Sequence, residues 1–274
     1  MRWPGGKRWA AEQITDAIRG ALGNDGTYYE PFLGGGAIFF HLRPKRAVLA
    51  DLNAELLNAY RVVRDHSEEL LRRIRRLRVN KDVYARMRGS RPRTSLSRAV
   101  RLLYLNRTAF AGIYRLNKDG RFNVPYGGRK RTPAVLWERR LLTRAAAVLK
   151  KGVRLVRSDF EAVLRHAGAG DVVYCDPTYT VAHDTNGFLR YNERIFSWSD
   201  QERLARVAKE AAARGATVVV SNAHHKAVRA LYPNAETRRL QRPSCVSATV
   251  EGRRRVSEYL FILKGRRQRR LRER

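Results

Sequence analysis

The stretch that most limits what this chain can fold into is Asp171-Val172-Val173-Tyr174-Cys175, which stops on Asp176-Pro177-Thr178-Tyr179. A short apolar run without polar alternation is the pattern of a strand buried on both faces, as in a parallel sheet covered by helices. A strand that ends on an acidic residue puts its carboxylate at the carboxyl edge of the sheet, where open α/β folds bind ligands. Pro177 has no N–H and disfavours helix at Asp176, so the turn is stiff. No strand partner obviously claims the carbonyls of Pro177 and Thr178, and an aromatic ring follows at Tyr179. A carboxylate, a fixed carbonyl and a flat ring suit a planar base that carries an amino group. An ordinary strand-ending turn over a core tyrosine would use the same residues, and the rest of the chain decides between the two.

Upstream, Thr27 to Phe32 predicts a strand, Leu33-Gly34-Gly35-Gly36 a glycine loop, and Ala37 to Leu42 a helix. That arrangement cradles nucleotides, with backbone N–H groups facing the ligand. A second strand, Ala47 to Ala50, ends on Asp51, the position at which Rossmann-type folds bind ribose hydroxyls. The dinucleotide fingerprint is not met, because Phe39 stands where its third glycine belongs, and no phosphate loop follows. The expected ligand is an adenosine without a pyrophosphate. Before this unit, Trp3-Pro4-Gly5-Gly6-Lys7 is a tight bend flanked by a ring and a cation, ahead of a helix predicted from Trp9 to about Leu22.

Charge narrows the partner. Lys and Arg number 57 against 25 Asp and Glu, a net charge of +32, which points to a polyanion. Arginine dominates, as suits bidentate phosphate and guanine contacts. Much of the excess lies between residues 55 and 149. There Ser67 is the expected N-cap of a helix with apolar Leu70, Leu71, Ile74 and Leu77, interleaved with Arg72, Arg73, Arg75, Arg76 and Arg78. A helix over about Leu96 to Leu105 leads to a hairpin turn at Asp119-Gly120, crowded by aromatic, Asn and Arg side chains. Thr132-Pro133 then opens a helix to about Lys150. This region reads as a helical insertion in an α/β domain.

Strands resume at Val153 to Val156, running to Ser158-Asp159-Phe160. Residues His183 to Phe196 read as a mobile loop, and Ser199-Asp200-Gln201-Glu202 as a capping box before a helix to Arg214. A strand over Ala216 to Val220 ends at Ser221-Asn222, and Tyr259 to Leu263 is the last strand. Six arginines follow in a basic tail, expected to be disordered. With two cysteines and no paired histidine spacing, neither a disulfide framework nor a metal site is expected. No signal peptide or membrane-spanning run is read. The expectation is a thiol-reduced cytoplasmic protein on the nucleoid, a monomer or weak dimer.

Taken in order, Arg2-Trp3-Pro4-Gly5-Gly6-Lys7, Tyr29-Glu30-Pro31-Phe32-Leu33-Gly34-Gly35-Gly36, Leu105-Asn106-Arg107, Asn123-Val124-Pro125-Tyr126-Gly127 and Asp176-Pro177-Thr178-Tyr179 strongly resemble the Dam-type, D12-class DNA adenine methyltransferases. Arg242-Pro243-Ser244 to Val256-Ser257-Glu258-Tyr259-Leu260 is similar to the C-terminal pattern of that family, which usually carries Pro where Thr178 stands. The resemblance implies a Rossmann-like seven-stranded S-adenosylmethionine-dependent methyltransferase fold with an inserted helical target-recognition domain. It places the cofactor-binding domain at 1–55 and 150–264, the insertion at 56–149 and the tail at 265–274. It implies that S-adenosylmethionine is bound by Trp3, Lys7, Glu30, Phe32, Gly34, Gly36, Asp51, Asp159, Phe160 and Asp176. Asp176, Pro177 and Tyr179 then act on an adenine flipped from double-stranded DNA, and Arg107, Tyr114, Asn117, Lys118, Arg121 and Asn123 contact the duplex. A cytosine-N4 or RNA methyltransferase of the same fold, or a DNA-binding protein with a decayed site, remains the alternative. A nicotinamide oxidoreductase conflicts with Phe39 and with the charge.

Overall fold

The computed structural model describes residues 1, 3, 5–128, 136, 139–180, 196–243 and 255–265. Seven strands make one mixed sheet: β1 (Tyr28–Glu30), β2 (Ala47–Asp51), β3 (Val153–Arg157), β4 (Val172–Cys175), β5 (Thr217–Ala223), β6 (Glu236–Pro243) and β7 (Arg255–Leu263). Their order is β3-β2-β1-β4-β5-β7-β6. β1 runs parallel to β2 and β4, and β4 runs parallel to β5. β7 is antiparallel to both β5 and β6. The order of strands reverses between β1 and β4, the kind of switch point at which doubly wound sheets hold ligands. β4 and β5 are buried along their whole length, as central strands covered on both faces should be. Cys175 pairs with Val220, so the next residues in register are Asp176 and Ser221.

The chain divides into two compact units: Met1–Gly6, Leu33–Lys45 and Asp51–Arg157 form one, and Lys7–Phe32, Arg46–Ala50 and Ser158–Arg274 the other. The first is largely helical, with helices at Ala54–Asp65, Ser67–Arg75, Lys81–Gly89, Ser95–Thr108 and Arg139–Lys150. Its core is made by Leu56, Leu57, Leu70, Ile74, Leu103 and Tyr104, all fully or almost fully buried. The second carries most of the sheet, flanked by helices that include Ala11–Arg19 and Trp198–Ala213. Ile14 and Ile18 of the former and Leu204 and Val207 of the latter are buried, each such side chain contributing about 1.5–3 kcal/mol.

Several local expectations change. Ser67 is the first helical residue, and His66 is the N-cap without a side-chain bond. The capping box lies two residues earlier than the sequence suggests, between Ser197 and Asp200. Strand β6 was not expected, because Leu240 is its only buried apolar residue among the described side chains and charged Glu236, Arg238 and Arg239 guard a sheet edge. Helix Ala54–Asp65 was also missed, although Asn53 caps it by accepting from Leu56 N–H. The start of the Thr132-Pro133 helix, Cys245, most of the loop from His183 and the arginine tail lie outside the described residues.

Candidate active site

The register of β4 and β5 sets the central contacts. Ser221 Oγ donates to Asp176 Oδ1 at 2.7 Å, and Lys7 Nζ lies 2.7 Å from the same oxygen. Lys7 also reaches Glu258 Oε2, on β7, at 3.5 Å. Tyr179 donates its hydroxyl to that Glu258 oxygen at 2.8 Å, and Lys7 Nζ sits 4.9 Å from the Tyr179 ring centroid. Lys7 is 3% exposed. Burial alone would push its pKa down, but the Asp176 and Glu258 charges outweigh this and hold it above the ordinary lysine value, so Lys7 stays cationic. Burial pushes the Asp176 carboxyl up, opposed by Lys7 and the Ser221 hydroxyl. Oδ2 of Asp176 takes part in none of these bonds, and the Pro177 carbonyl accepts no hydrogen bond among the described residues. Cys175 is a core thiol, held well above its usual pKa by burial and by nearby Asp176 and Glu30.

Around β1 and the segment after β3, Phe32 stacks on Phe160 at 5.4 Å between centroids and meets Phe196 edge-on at 5.6 Å. The Arg203 guanidinium lies 4.1 Å over Phe160. Arg203 also binds Asp159 at 2.8 and 3.1 Å. Asp159 caps helix Phe160–Leu164 by accepting from Glu161 N–H, so its carboxylate already has a structural task. Glu30 is buried and accepts from the Tyr28 hydroxyl at 2.8 Å.

In the helical unit, Asp51 Oδ2 accepts from Gly34 N–H at 3.0 Å and Oδ1 from Asn53 N–H at 2.9 Å. Tyr60 donates to the Gly34 carbonyl at 3.0 Å. A Cβ on Gly34 would meet Trp3 Cδ1 at 2.8 Å, and its φ of +45° disfavours a side chain in any case. Gly36 at φ +64° opens helix Ala37–Leu42. Trp3 stacks on Tyr114 at 5.3 Å, so both rings are partly covered by each other.

The hairpin expectation fits the local bonding. Asn117 N–H donates to the Arg121 carbonyl, Gly120 N–H to the Asn117 carbonyl, and Leu116 bridges Phe122. Asn117 Oδ1 accepts from the N–H groups of Asp119 and Arg121, so this side chain closes the turn. Asn123 accepts from Arg115 at 2.9 Å. Lys118 and Arg121 are exposed, and Arg107 is half-buried. Beside the hairpin is a groove of about 960 Å³ lined by Arg88, Arg91, Arg98, Arg101 and Arg121. Not every arginine faces an anion freely: Arg72 and Arg73 bind Glu69, and Arg98 binds Glu55. Sequence reasoning missed the Ser221 bond to Asp176, the Tyr179 contact of Glu258, and the exposure of Phe110, 58% exposed beside Ala111 at φ +51°.

No described group of three or more His, Cys, Asp or Glu residues could hold a metal ion, and no described helix is long and apolar enough to cross a membrane.

A seven-stranded sheet of this order, with β7 antiparallel beside β5, is that of the Rossmann-like S-adenosylmethionine-dependent methyltransferase fold. A family model described as D12 class N6 adenine-specific DNA methyltransferase matches residues 3–243. The chain belongs to that family and is an adenine-specific DNA methyltransferase. It is 30% identical to the Type II methyltransferase M1.LlaDCHI of Lactococcus lactis subsp. cremoris, covering 94% of this chain and 93% of that protein. It is 32% identical to the Type II methyltransferase M.MjaIII of Methanocaldococcus jannaschii, over 82% of this chain and 84% of that one. Identity to the DNA adenine methylase of Escherichia coli K12 is 29%, over 96% and 94% respectively.

Proposed function

We propose that this enzyme takes its methyl group from S-adenosylmethionine and puts it on the exocyclic nitrogen of an adenine turned out of double-stranded DNA, within a specific sequence. The observation that carries this reading is the state of Asp176. Its Oδ1 is held by Lys7 and Ser221, Oδ2 is left out of those bonds, and the carbonyl of the next residue, Pro177, accepts no hydrogen bond among the described residues.

The chain's residues suit a cationic methyl donor. Among the described residues, Lys7 is the buried cation that faces the carboxylates of Asp176 and Glu258, and these two acids suit a cationic ligand. When bound, S-adenosylmethionine supplies a methyl group on a sulfonium, already activated towards nitrogen. Asp51 would take the ribose hydroxyls with lone pairs not used by Gly34 and Asn53, and Phe32 and Phe160 would cover the adenine. Trp3, Lys7, Glu30, Gly34, Gly36 and Asp159 are assigned to the same ligand, Asp159 through the helix it caps.

The lone pair of an adenine amino nitrogen is delocalised into the ring. Two acceptors, Asp176 Oδ2 and the Pro177 carbonyl, take both amino hydrogens and favour a pyramidal nitrogen whose lone pair can attack. Asp176 Oδ2 then takes the proton that the nitrogen gives up. Positioning supplies much of the rate. Extruding the base costs a few kcal/mol, partly recovered by stacking. One face of Tyr179 carries Lys7, so the base would lie on the other. Lys118 and Arg121 are assigned to base edges, and Arg107 to the duplex. Asn117, Asn123 and Tyr114 act by shaping the surface that holds them. The exposed Phe110 ring suits wedging between bases.

The test is Asp176→Asn with tritiated S-adenosylmethionine and unmethylated DNA, reading N6-methyladenine after digestion. The rate should fall by about a hundredfold or more. A variant that methylates at the parent rate removes Asp176 from the chemistry.

A further inference from the structure

We infer that the carboxyl end of β5 is the template for the acceptor turn: Ser221 fixes the Asp176 carboxylate, Asn222 acts through Gln201 on Thr180, and all three are positioning residues for methyl transfer. The inference rests on the role proposed for Asp176 and deepens it.

Ser221, Asn222 and Gln201 are fully buried, and Thr180 is 7% exposed. The single hydroxyl proton of Ser221 goes to Asp176 Oδ1. Tyr174, 3.1 Å away, must therefore donate to Ser221 Oγ, which makes a relay from Tyr174 through Ser221 to the carboxylate. In parallel, Asn222 Nδ2 donates to Gln201 Oε1 at 2.8 Å, and Gln201 Nε2 donates to Thr180 Oγ1 at 3.2 Å. Asn222 Oδ1 accepts from Ala223 N–H at 2.8 Å. Polar groups are costly to bury, and a satisfied network of this kind fixes one geometry.

The turn needs such help. Pro177 stiffens one bond, but Thr178 leaves its own φ free. The two arms hold the turn at its first residue and at the residue just after it. Both arms start from neighbouring residues of one strand, so the β4–β5 register sets them together. Among the described residues, the charged groups facing Asp176 are Lys7 and Glu258, with the neutral hydroxyls of Tyr174 and Tyr179 beside them. Losing the Ser221 donor weakens support for the ionised carboxylate, so Asp176 should titrate at higher pH.

The experiment compares Ser221→Ala, Ser221→Thr, Gln201→Met and Asp176→Asn in full-length protein, with tritiated S-adenosylmethionine and unmethylated phage DNA. Ser221→Ala should lower the single-turnover rate by about ten- to a hundredfold, the range of a lost hydrogen bond to a charged group. Cofactor affinity, read by calorimetry, should hold. The acid limb of the pH–rate profile should move up, as should the 13C titration of the Asp176 carboxyl in the ligand-free protein. Ser221→Thr, which restores the donor, should recover most of the loss. Gln201→Met should also slow transfer but leave the acid limb in place, because no bond to Asp176 is lost. If Ser221→Ala does not fold, Ser221→Cys, a weak donor of similar volume, reads the same quantities. A parent rate in Ser221→Ala beside an inactive Asp176→Asn overturns the inference alone, as does a slowed Ser221→Ala with an unmoved acid limb. A parent rate in Gln201→Met overturns the Thr180 arm. A parent rate in Asp176→Asn overturns the reading underneath, and the inference with it.

Discussion

Asp51 and Gly34 constrain one another. The carboxylate needs the Gly34 N–H, and Gly34 needs to lack a side chain because Trp3 fills that space. Burial pushes the Asp51 carboxyl above its ordinary pKa, against the pull of the Asn53 and Gly34 N–H groups. Asp51→Ala should weaken S-adenosylmethionine binding by about 1–3 kcal/mol, the scale of a hydrogen bond to a charged group. Calorimetric titration of a folded variant checks this, and unchanged affinity would remove Asp51 from the cofactor site. At this scale the sequence marked what stands at strand ends. Asp51 and Asp176 could be singled out because apolar runs stop on them. Ser221 also stands at a strand end, but its role and that of Glu258 come from pairing with residues 45 and 79 positions away, which no local pattern shows. Asp159 was legible as a strand-end acid, but its bonds to Arg203 and Glu161 N–H were not.

The hairpin from Leu116 to Phe122 was readable as an element because Asp119-Gly120 is a strong local turn signal. The division of labour within it was not, because a sequence does not say which polar side chains fold back. Asn117 closes the turn and Asn123 holds Arg115, which leaves Arg121 and Lys118 outward. Arg121 is also the hairpin's own arginine in the lining of the groove, beside Asn117, Asp119, Gly120 and Phe122. A base contact and a phosphate contact by Arg121 have different consequences. Losing a guanine contact relaxes preference at one position by about 1–3 kcal/mol, whereas losing a phosphate contact weakens all sites alike. Arg121→Ala should therefore methylate a broader set of sequences at unchanged cofactor affinity. Methylation profiling that finds the same motif at uniformly lower occupancy would make the hairpin a clamp. Elements with weak local signals were lost, β6 above all, since an edge strand rich in Glu and Arg has no alternating apolar pattern to read.

At the scale of the whole molecule the dominant quantity is charge. A net +32 is spread over a chain whose acids are partly consumed by nearby arginines, as at Glu69, Glu161 and Glu236. The arginines left over give a long-range field that draws duplex DNA without reading it. Six of them, Arg266, Arg267, Arg269, Arg270, Arg272 and Arg274, lie within the last nine positions. If they contact phosphates, each releases counterions, and the slope of log K against log salt steepens by about 0.9 per contact on B-form DNA. Removing residues after Lys264 should then flatten that slope by up to about 5. Methylation of saturating DNA at low salt should persist, because the residues assigned to chemistry all precede the cut. Affinity for a fixed duplex, measured from 50 to 200 mM salt on both chains, gives the answer. A parallel pair of lines would mean that the tail carries its charge without touching DNA, and the nonspecific affinity would belong to the arginines of the helical unit.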